Sequence, residues 1–280
     1  MITVTYTTDA KEKIKGSFRK VPGGTDKPTI IYIHGGGLIF GNRDDLPIQY
    51  ADLFVQAGYP ILSLDYLLAP ESDYQAIIGS VQAGLNYFLN HSDELELRNN
   101  DYILFGRSAG AYLCIQLMAE NLQKSPVAFI DLYGFESLLA PNLKQFNNLY
   151  SKYPEITKDE LQPLIRESPI SNSSQNDRFL IYVYARQSSA WQKMIFQSTP
   201  TTEANLDKNL MVTNFPPTYM CHSNSDPDVP FINSIILKSK LPNARLIPIE
   251  SKEHDFDRNV TSETLVIYKN IIQWLKNTRS

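Results

Sequence analysis

The stretch "YILFGRSAGAYLCIQLMA" at residues 102–119 constrains the chain more than any other. A run of strand formers meets a run of good helix formers across "GRSAG", a turn that begins and ends with glycine. Small residues at both ends allow the strand and helix backbones to pass close together. A strand leading directly into a helix is the repeating unit of a parallel sheet. Other apolar runs recur: "TIIYI" at 29–33, "PILSLDY" at 60–66, "VAFIDLYG" at 127–134, "TYMCHS" at 218–223 and "ARLIPIE" at 244–250. They are continuous rather than alternating, as expected for strands covered on both faces. Helix-length segments lie between most of them, over roughly 45–57, 73–91, 109–124, 230–240 and 261–277. This alternation predicts an α/β protein with a mostly parallel, doubly wound sheet. The leading stretches "ITVTYTT" and "IKGSFRKV" alternate more and read as an antiparallel edge hairpin.

Residues 135–216 break the rhythm. All 13 glycines lie at or before Gly134, so the second half must turn on Pro, Asn, Asp and Ser. An excursion of this length between two core strands reads as an inserted helical cap, leaving 1–134 and 217–280 as the core. Inside it, "SPISNSSQND" at 168–177 is polar and turn-rich. "RFLIYVYAR" at 178–186 suits a strand by propensity or a buried helix, and helix is the expectation.

Composition narrows the function classes. A net charge of −4 offers no clustered Lys and Arg for a nucleic acid or an anionic membrane surface. No apolar run reaches the roughly 18 residues of a membrane span. The N-terminal "MITVTYTTDAKEKIK" has neither the basic nor the apolar region of a signal peptide, which makes a cytoplasmic location the expectation. Cys114 and Cys221 sit in apolar surroundings without CxxC spacing and read as reduced core residues. Four histidines without paired Cys/His spacing do not suggest zinc, and no metal site is expected.

Chemistry concentrates in two glycine stretches. Strand, then GxSxG, then helix is the arrangement in which a serine sits on a sharp, strained turn. Ser108 then stands at the carboxyl edge of the sheet, at a helix N-terminus whose partial positive charge suits a developing anion. A serine hydroxyl needs a base. In this arrangement the chain order is Ser, then acid, then His, which leaves His222 and His254 downstream. His222 would put the acid after the base, whereas His254 follows the last expected strand, so His254 is the candidate base. Asp226 and Asp228 both lie on the preceding loop; Asp226 is the candidate acid and Asp228 the alternative, otherwise a helix cap. Acyl transfer creates a negative oxygen, and backbone N–H groups aimed at it supply a large catalytic effect. Consecutive glycines in "HGGGLIFG" at 34–41 carry no Cβ to obstruct such donors. Gly36, Gly37 and Ala109, just past the serine, are the candidate oxyanion hole. By residue frequencies, GxSxG arises by chance about 0.1 times in a chain this long and HGGG about 0.002 times, so the glycine loop carries more of the inference. His34 is read as ordering that loop. Leu38, Phe40 and Tyr112 are candidates for the substrate-pocket wall, with core packing as their other role.

Three motifs, "HGGGLIFG" at 34–41, "DYLLAPE" at 65–71 and "GRSAG" at 106–110, give the sequence a resemblance to the α/β-hydrolase fold. Within that fold it resembles the HGGG carboxylesterases similar to hormone-sensitive lipase. The resemblance runs from about 29 to 134 and again from 217 to 277. It implies serine-dependent hydrolysis of small to medium carboxylic esters by Ser108, Asp226 and His254, with no metal or organic cofactor. The expected partner is thus a small-molecule ester, and the oligomeric state is left open. Four positions depart from the family pattern: Leu67 replaces an Arg, Arg107 an acid, Gly79 an Asp and Glu253 a Gly. The same residues fit a peptidase or amidase, and a ligand-binding receptor on this scaffold is the reading from another class.

Overall fold

The structure, a computed structural model, describes residues 1–120, 122–144, 147–197 and 215–278. Among these, eight strands form one sheet: β1 (Ile2–Thr7), β2 (Lys13–Arg19), β3 (Thr29–Ile33), β4 (Ile61–Leu64), β5 (Tyr102–Arg107), β6 (Ala128–Leu132), β7 (Thr218–Ser223) and β8 (Ala244–Ile249). They lie in the order β1-β2-β4-β3-β5-β6-β7-β8. β2 pairs antiparallel with both β1 and β4, and every other pairing is parallel. The expected edge hairpin and parallel body are both present. Helices α1 (Ile48–Gln56), α2 (Tyr74–Asn90), α3 (Ala109–Ala119), α4 (Pro141–Lys144), α5 (Lys158–Leu161), α6 (Gln175–Gln187), α7 (Trp191–Phe196), α8 (Ile232–Lys240) and α9 (Ser262–Thr278) complete the described architecture with short 3₁₀ turns.

Continuous apolar strands are explained by cover on both faces. Along β3, Ile31 and Ile33 pack into the core under α2 and α3, while Ile30 and Tyr32 pack on the other side with Tyr50 and Phe54 of α1 and Tyr268 and Ile271 of α9. Period-two alternation sends successive side chains to opposite layers, and both layers are apolar. α3 is buried from Ala109 to Leu117, as befits a helix apolar on all sides. Cys114 and Cys221 are buried and form no disulfide.

The strand order positions the site. From β3 the chain winds outward to β4, then returns across β3 to β5 and continues in the other direction. The reversal opens a crevice at the carboxyl ends of β3 and β5, where α/β sheets bind ligands. "HGGG" leaves β3 and "GRSAG" leaves β5, so the topology brings the two glycine stretches side by side. Residues between β6 and β7 that are described add helices and no sheet strand; "RFLIYVYAR" lies within α6, as expected. Residues 145–146 and 198–214 of the expected 135–216 insertion lie outside the described residues. Among the described residues, no helix is long and apolar enough to cross a membrane.

Candidate active site

Ser108 has φ 52° and ψ −120°, a conformation that side-chain-bearing residues rarely adopt. The surroundings hold it there. A Cβ at Gly106 would lie 2.3 Å from Cα of Ala111, and one at Gly110 would lie 2.2 Å from the Ile33 carbonyl oxygen. Backbone, which cannot yield, occupies both spaces. Ser108 N–H donates to the Leu132 carbonyl at 2.9 Å, tying the turn to β6.

The predicted acid, base and serine converge. His254 Nε2 lies 2.8 Å from Ser108 Oγ, and His254 Nδ1 lies 2.6 Å from Asp226 Oδ2. Asp226 Oδ1 accepts the N–H groups of Asp228 and Val229 at 2.8 and 2.9 Å. His222, passed over as a base, has a different place. Its Nε2 faces Asp226 Oδ2 at 3.0 Å and the Val229 carbonyl at 2.9 Å, and its Nδ1 lies 2.6 Å from Ser234 Oγ. Two acceptors at Nε2 assign its proton there, so His222 is a second donor to the Asp226 carboxylate. No sequence signal distinguishes this support from a core histidine. Burial alone would raise the Asp226 carboxyl, but the facing His254 charge and the hydrogen bonds from His222 and His254 hold it well below the usual range. For His254 burial acts downward, and the Asp226 charge and hydrogen bond, helped by Asp228 and Asp255, outweigh it and raise the imidazole to about 9.

Asp228 is engaged elsewhere. Its Oδ2 accepts the hydroxyls of Tyr150 at 2.8 Å and Tyr182 at 3.0 Å, and its Oδ1 lies 3.2 Å from Arg186 Nη2. It faces α6 and the 3₁₀ turn that carries Tyr150 rather than His254.

The glycine loop turns on positive φ at Gly36 (101°) and Gly37 (61°). A Cβ at Gly36 would lie 2.0 Å from the Phe40 carbonyl oxygen. The Gly36 carbonyl accepts Ile39 N–H at 3.0 Å and Phe40 N–H at 3.1 Å, closing the loop on itself. Among the described residues, the N–H groups of Gly36, Gly37 and Ala109 donate to no protein acceptor. His34 is buried and stacked on Tyr66 at 4.1 Å, and the Tyr66 hydroxyl donates to the carbonyls of His34 and Gly35 at 3.0 and 3.1 Å. Tyr66, from "DYLLAPE", is thus a loop support that motif reading missed.

A cavity of about 810 Å³ opens over these groups, with Gly36, Gly37, Ser108 and His254 in its lining. Phe40 is among its lining residues. Leu38 and Tyr112 are not, which corrects the expectation that they form its wall. Leu38 is fully buried in the core, and Tyr112, on a helix covered all round, stacks on Phe135 at 5.1 Å. The remaining walls include Tyr133, Tyr150, Tyr153, Phe179 and Tyr182, mostly from the segment between β6 and β7. Helix α6 crosses the site on one face. Arg178 reaches the Ile39 and Ala69 carbonyls at 2.8 and 2.7 Å and pairs with the Glu71 carboxylate at 2.6 Å. Tyr182 packs where a Gly37 Cβ would be, and Trp191 Nε1 donates to the Gly37 carbonyl at 2.8 Å.

A hydroxyl, an imidazole and a carboxylate in hydrogen-bonded series can move a proton off the hydroxyl as it attacks. Adjacent uncommitted amides can hold a negative oxygen. A family model described as BD-FAE matches residues 20–241. The chain is 35% identical over 94 residues to the acetyl esterase of Salmonella typhi, covering 34% of this chain and 29% of that protein. It is 26% identical over 200 residues to an esterase of Gibberella moniliformis, covering 71% and 57%. The matches therefore span less than two thirds of the length of these curated relatives. An α/β-hydrolase superfamily protein from Enterococcus faecalis superposes with a TM-score of 0.83 at 25% identity, over 99% of both chains. The fold is that of the α/β hydrolases.

Proposed function

The chain belongs to the BD-FAE family, and on that premise we propose that it is a carboxylic ester hydrolase acting on small to medium esters. The observation that carries the reading is the series Ser108 Oγ, His254 Nε2 and Nδ1, Asp226 Oδ2, at 2.8 and 2.6 Å, beside three uncommitted amides. Ser108 Oγ attacks the ester carbonyl carbon while its proton passes to His254 Nε2. The carbonyl oxygen becomes an oxyanion held by the N–H groups of Gly36, Gly37 and Ala109. Collapse expels the alkoxide, which takes the proton from His254. Water, deprotonated by the same nitrogen, then attacks the acyl-enzyme and releases the acid. Asp226 holds the imidazole with Nε2 toward the serine and stabilises its charged form. Names of the similar proteins, acetyl esterase and esterase, support the bond class. A cavity of about 810 Å³ supports small to medium substrates, since ligand pockets commonly span about 300–1,000 Å³. The described residues between β6 and β7 act as a cap that shapes this space and excludes water.

A fluorophosphonate probe and p-nitrophenyl esters test the reading. The wild-type protein is expected to be labelled and to hydrolyse the acetate and butyrate in preference to aminoacyl anilides. Ser108→Ala is expected to lose labelling and at least about 10⁴-fold in turnover. Labelling that survives the substitution overturns the assignment. Preference for anilides points to the peptidase reading, and a folded protein that turns over none of them points to a receptor.

A further inference from the structure

A buried guanidinium stands directly behind Ser108, and nothing in the proposed reaction uses it. Arg107 is 6% exposed, and Asp257, three residues beyond His254, is 0% exposed. Arg107 Nη2 donates to Asp257 Oδ1 at 2.8 Å, and Nε donates to the Tyr133 hydroxyl at 2.6 Å. That hydroxyl donates in turn to the same Asp257 oxygen at 2.6 Å, while Tyr268 donates to Oδ2 at 2.6 Å. Nη1 lies 3.4 Å from both the Tyr32 hydroxyl and the Asp45 carbonyl oxygen, with the Asp45 carboxylate at 3.8 Å. All three guanidinium nitrogens are therefore engaged by protein. Although Arg107 touches the cavity, each of its three side-chain nitrogens faces a protein acceptor.

A buried ion pair is weak evidence for stability, because desolvation offsets much of the attraction. What it supplies that apolar packing does not is direction, through charge-assisted bonds at set angles. The two ends of this pair are telling. One is the residue before Ser108; the other follows His254 on the same loop. The Tyr133 ring, held between them, meets the His254 ring edge-on at 5.0 Å and the Phe256 ring at 5.4 Å.

We infer that Arg107 and Asp257, with Tyr133 bonded to both, form a positioning device that ties the His254 loop to the Ser108 turn and holds Nε2 against Oγ through turnover. The inference rests on the proposed roles of Ser108 and His254. Arg107 and Asp257 act through those residues rather than on the substrate.

The test measures kcat and KM for p-nitrophenyl acetate and for the anionic mono-p-nitrophenyl succinate in Arg107→Met, Arg107→Lys and Tyr268→Phe. Each preparation is normalised to its fluorophosphonate-titratable serine, so misfolded protein does not count. Arg107→Met is expected to lower kcat about 10²-fold with KM within about threefold, the scale of a misplacement near 1 Å. Arg107→Lys keeps the charge and recovers part of that loss. As His254 loosens from Asp226, the inflection of kcat/KM against pH moves down toward its ordinary value near ~6.5 in Arg107→Met. Wild-type kcat per titrated site with an unmoved inflection overturns the inference, whatever the variant's Tm. Unchanged kcat with KM raised for anionic esters alone also overturns it, by making Arg107 a substrate contact. Should Arg107→Met give no titratable serine, Arg107→Lys and Tyr268→Phe decide: a lower kcat per site with a shifted inflection supports the device, and wild-type values in both overturn it. Failure of the underlying reading looks different, because the wild type is then unlabelled or Ser108→Ala is labelled.

Discussion

At the scale of single residues, two aspartates two positions apart have separate surroundings. Asp226 is 2.6 Å from His254 Nδ1, whereas the Asp228 carboxylate is taken by Tyr150, Tyr182 and Arg186. Replacing Asp226 by Asn keeps the volume but puts an amide where the imidazole needs an acceptor, favouring the wrong tautomer. Asp226→Asn is expected to cost about 10³–10⁴ in kcat, and Asp228→Asn less than about tenfold. Steady-state kinetics of the two variants on one p-nitrophenyl ester check this; loss confined to Asp228→Asn reverses the assignment. The sequence left these two carboxylates open because both share one loop at nearly the same spacing from His254. Only the fold of residues 226–229, where Asp226 Oδ1 takes two backbone N–H groups, turns one inward and the other toward α6.

Among elements, α6 is the one whose role was least legible in sequence. Its buried residues are the stripe Arg178, Tyr182 and Arg186 at i, i+4 and i+8, beside Ile181, Val183 and Ala185, and apolar periodicity reports only the second set, not the guanidinium and phenol groups. Leu180, by contrast, is exposed. "RFLIYVYAR" therefore looked apolar without a direction. In the fold the stripe joins the glycine loop, through Ile39 and Gly37, to the Asp228 loop. The Arg178–Glu71 pair is nearly dry, with side chains 3% and 1% exposed. Removing one partner strands the other, so Arg178→Met is expected to cost about 3–5 kcal/mol in urea unfolding. Adding Glu71→Met removes the stranded charge and is expected to recover at least about half of that loss. A double variant no more stable than Arg178→Met would show instead that the bonds to the Ile39 and Ala69 carbonyls dominate.

At the scale of the whole molecule, strand–helix alternation announced the parallel sheet, because continuous apolar runs arise where two layers cover a strand. Strand order was not legible, and it is the order that makes neighbours of the loops after β3 and β5. Proximity in sequence misled for Leu38 and Tyr112: residues beside the glycine loop and the serine face the core once the elements are packed. The assembled molecule also sets pH dependences that no single segment contains. The His254 imidazole, its side chain 17% exposed, is raised to about 9 chiefly against burial by Asp226. Its contribution to stability is complete below its unfolded value near ~6.5 and is lost as pH rises through about 9. Asp226 is depressed, so its contribution is complete above its unfolded value near ~4 and is lost only as pH falls through its lower folded value. The pair therefore stabilises fully between about pH 4 and 6.5, where His254 carries its proton and, in the proposed reaction, cannot accept one from Ser108. Activity runs the other way: kcat/KM is expected to rise about tenfold per pH unit and to level off above about pH 9. Thermal unfolding of wild type and His254→Ala across this range checks the linkage. The Tm gap is expected to be widest near pH 5–6 and to narrow through pH 9, over the same interval in which kcat/KM climbs. A gap that stays constant or widens from pH 6.5 to 9.5 means that the Asp226 contact does not hold the His254 proton, and the shared origin of the two profiles fails.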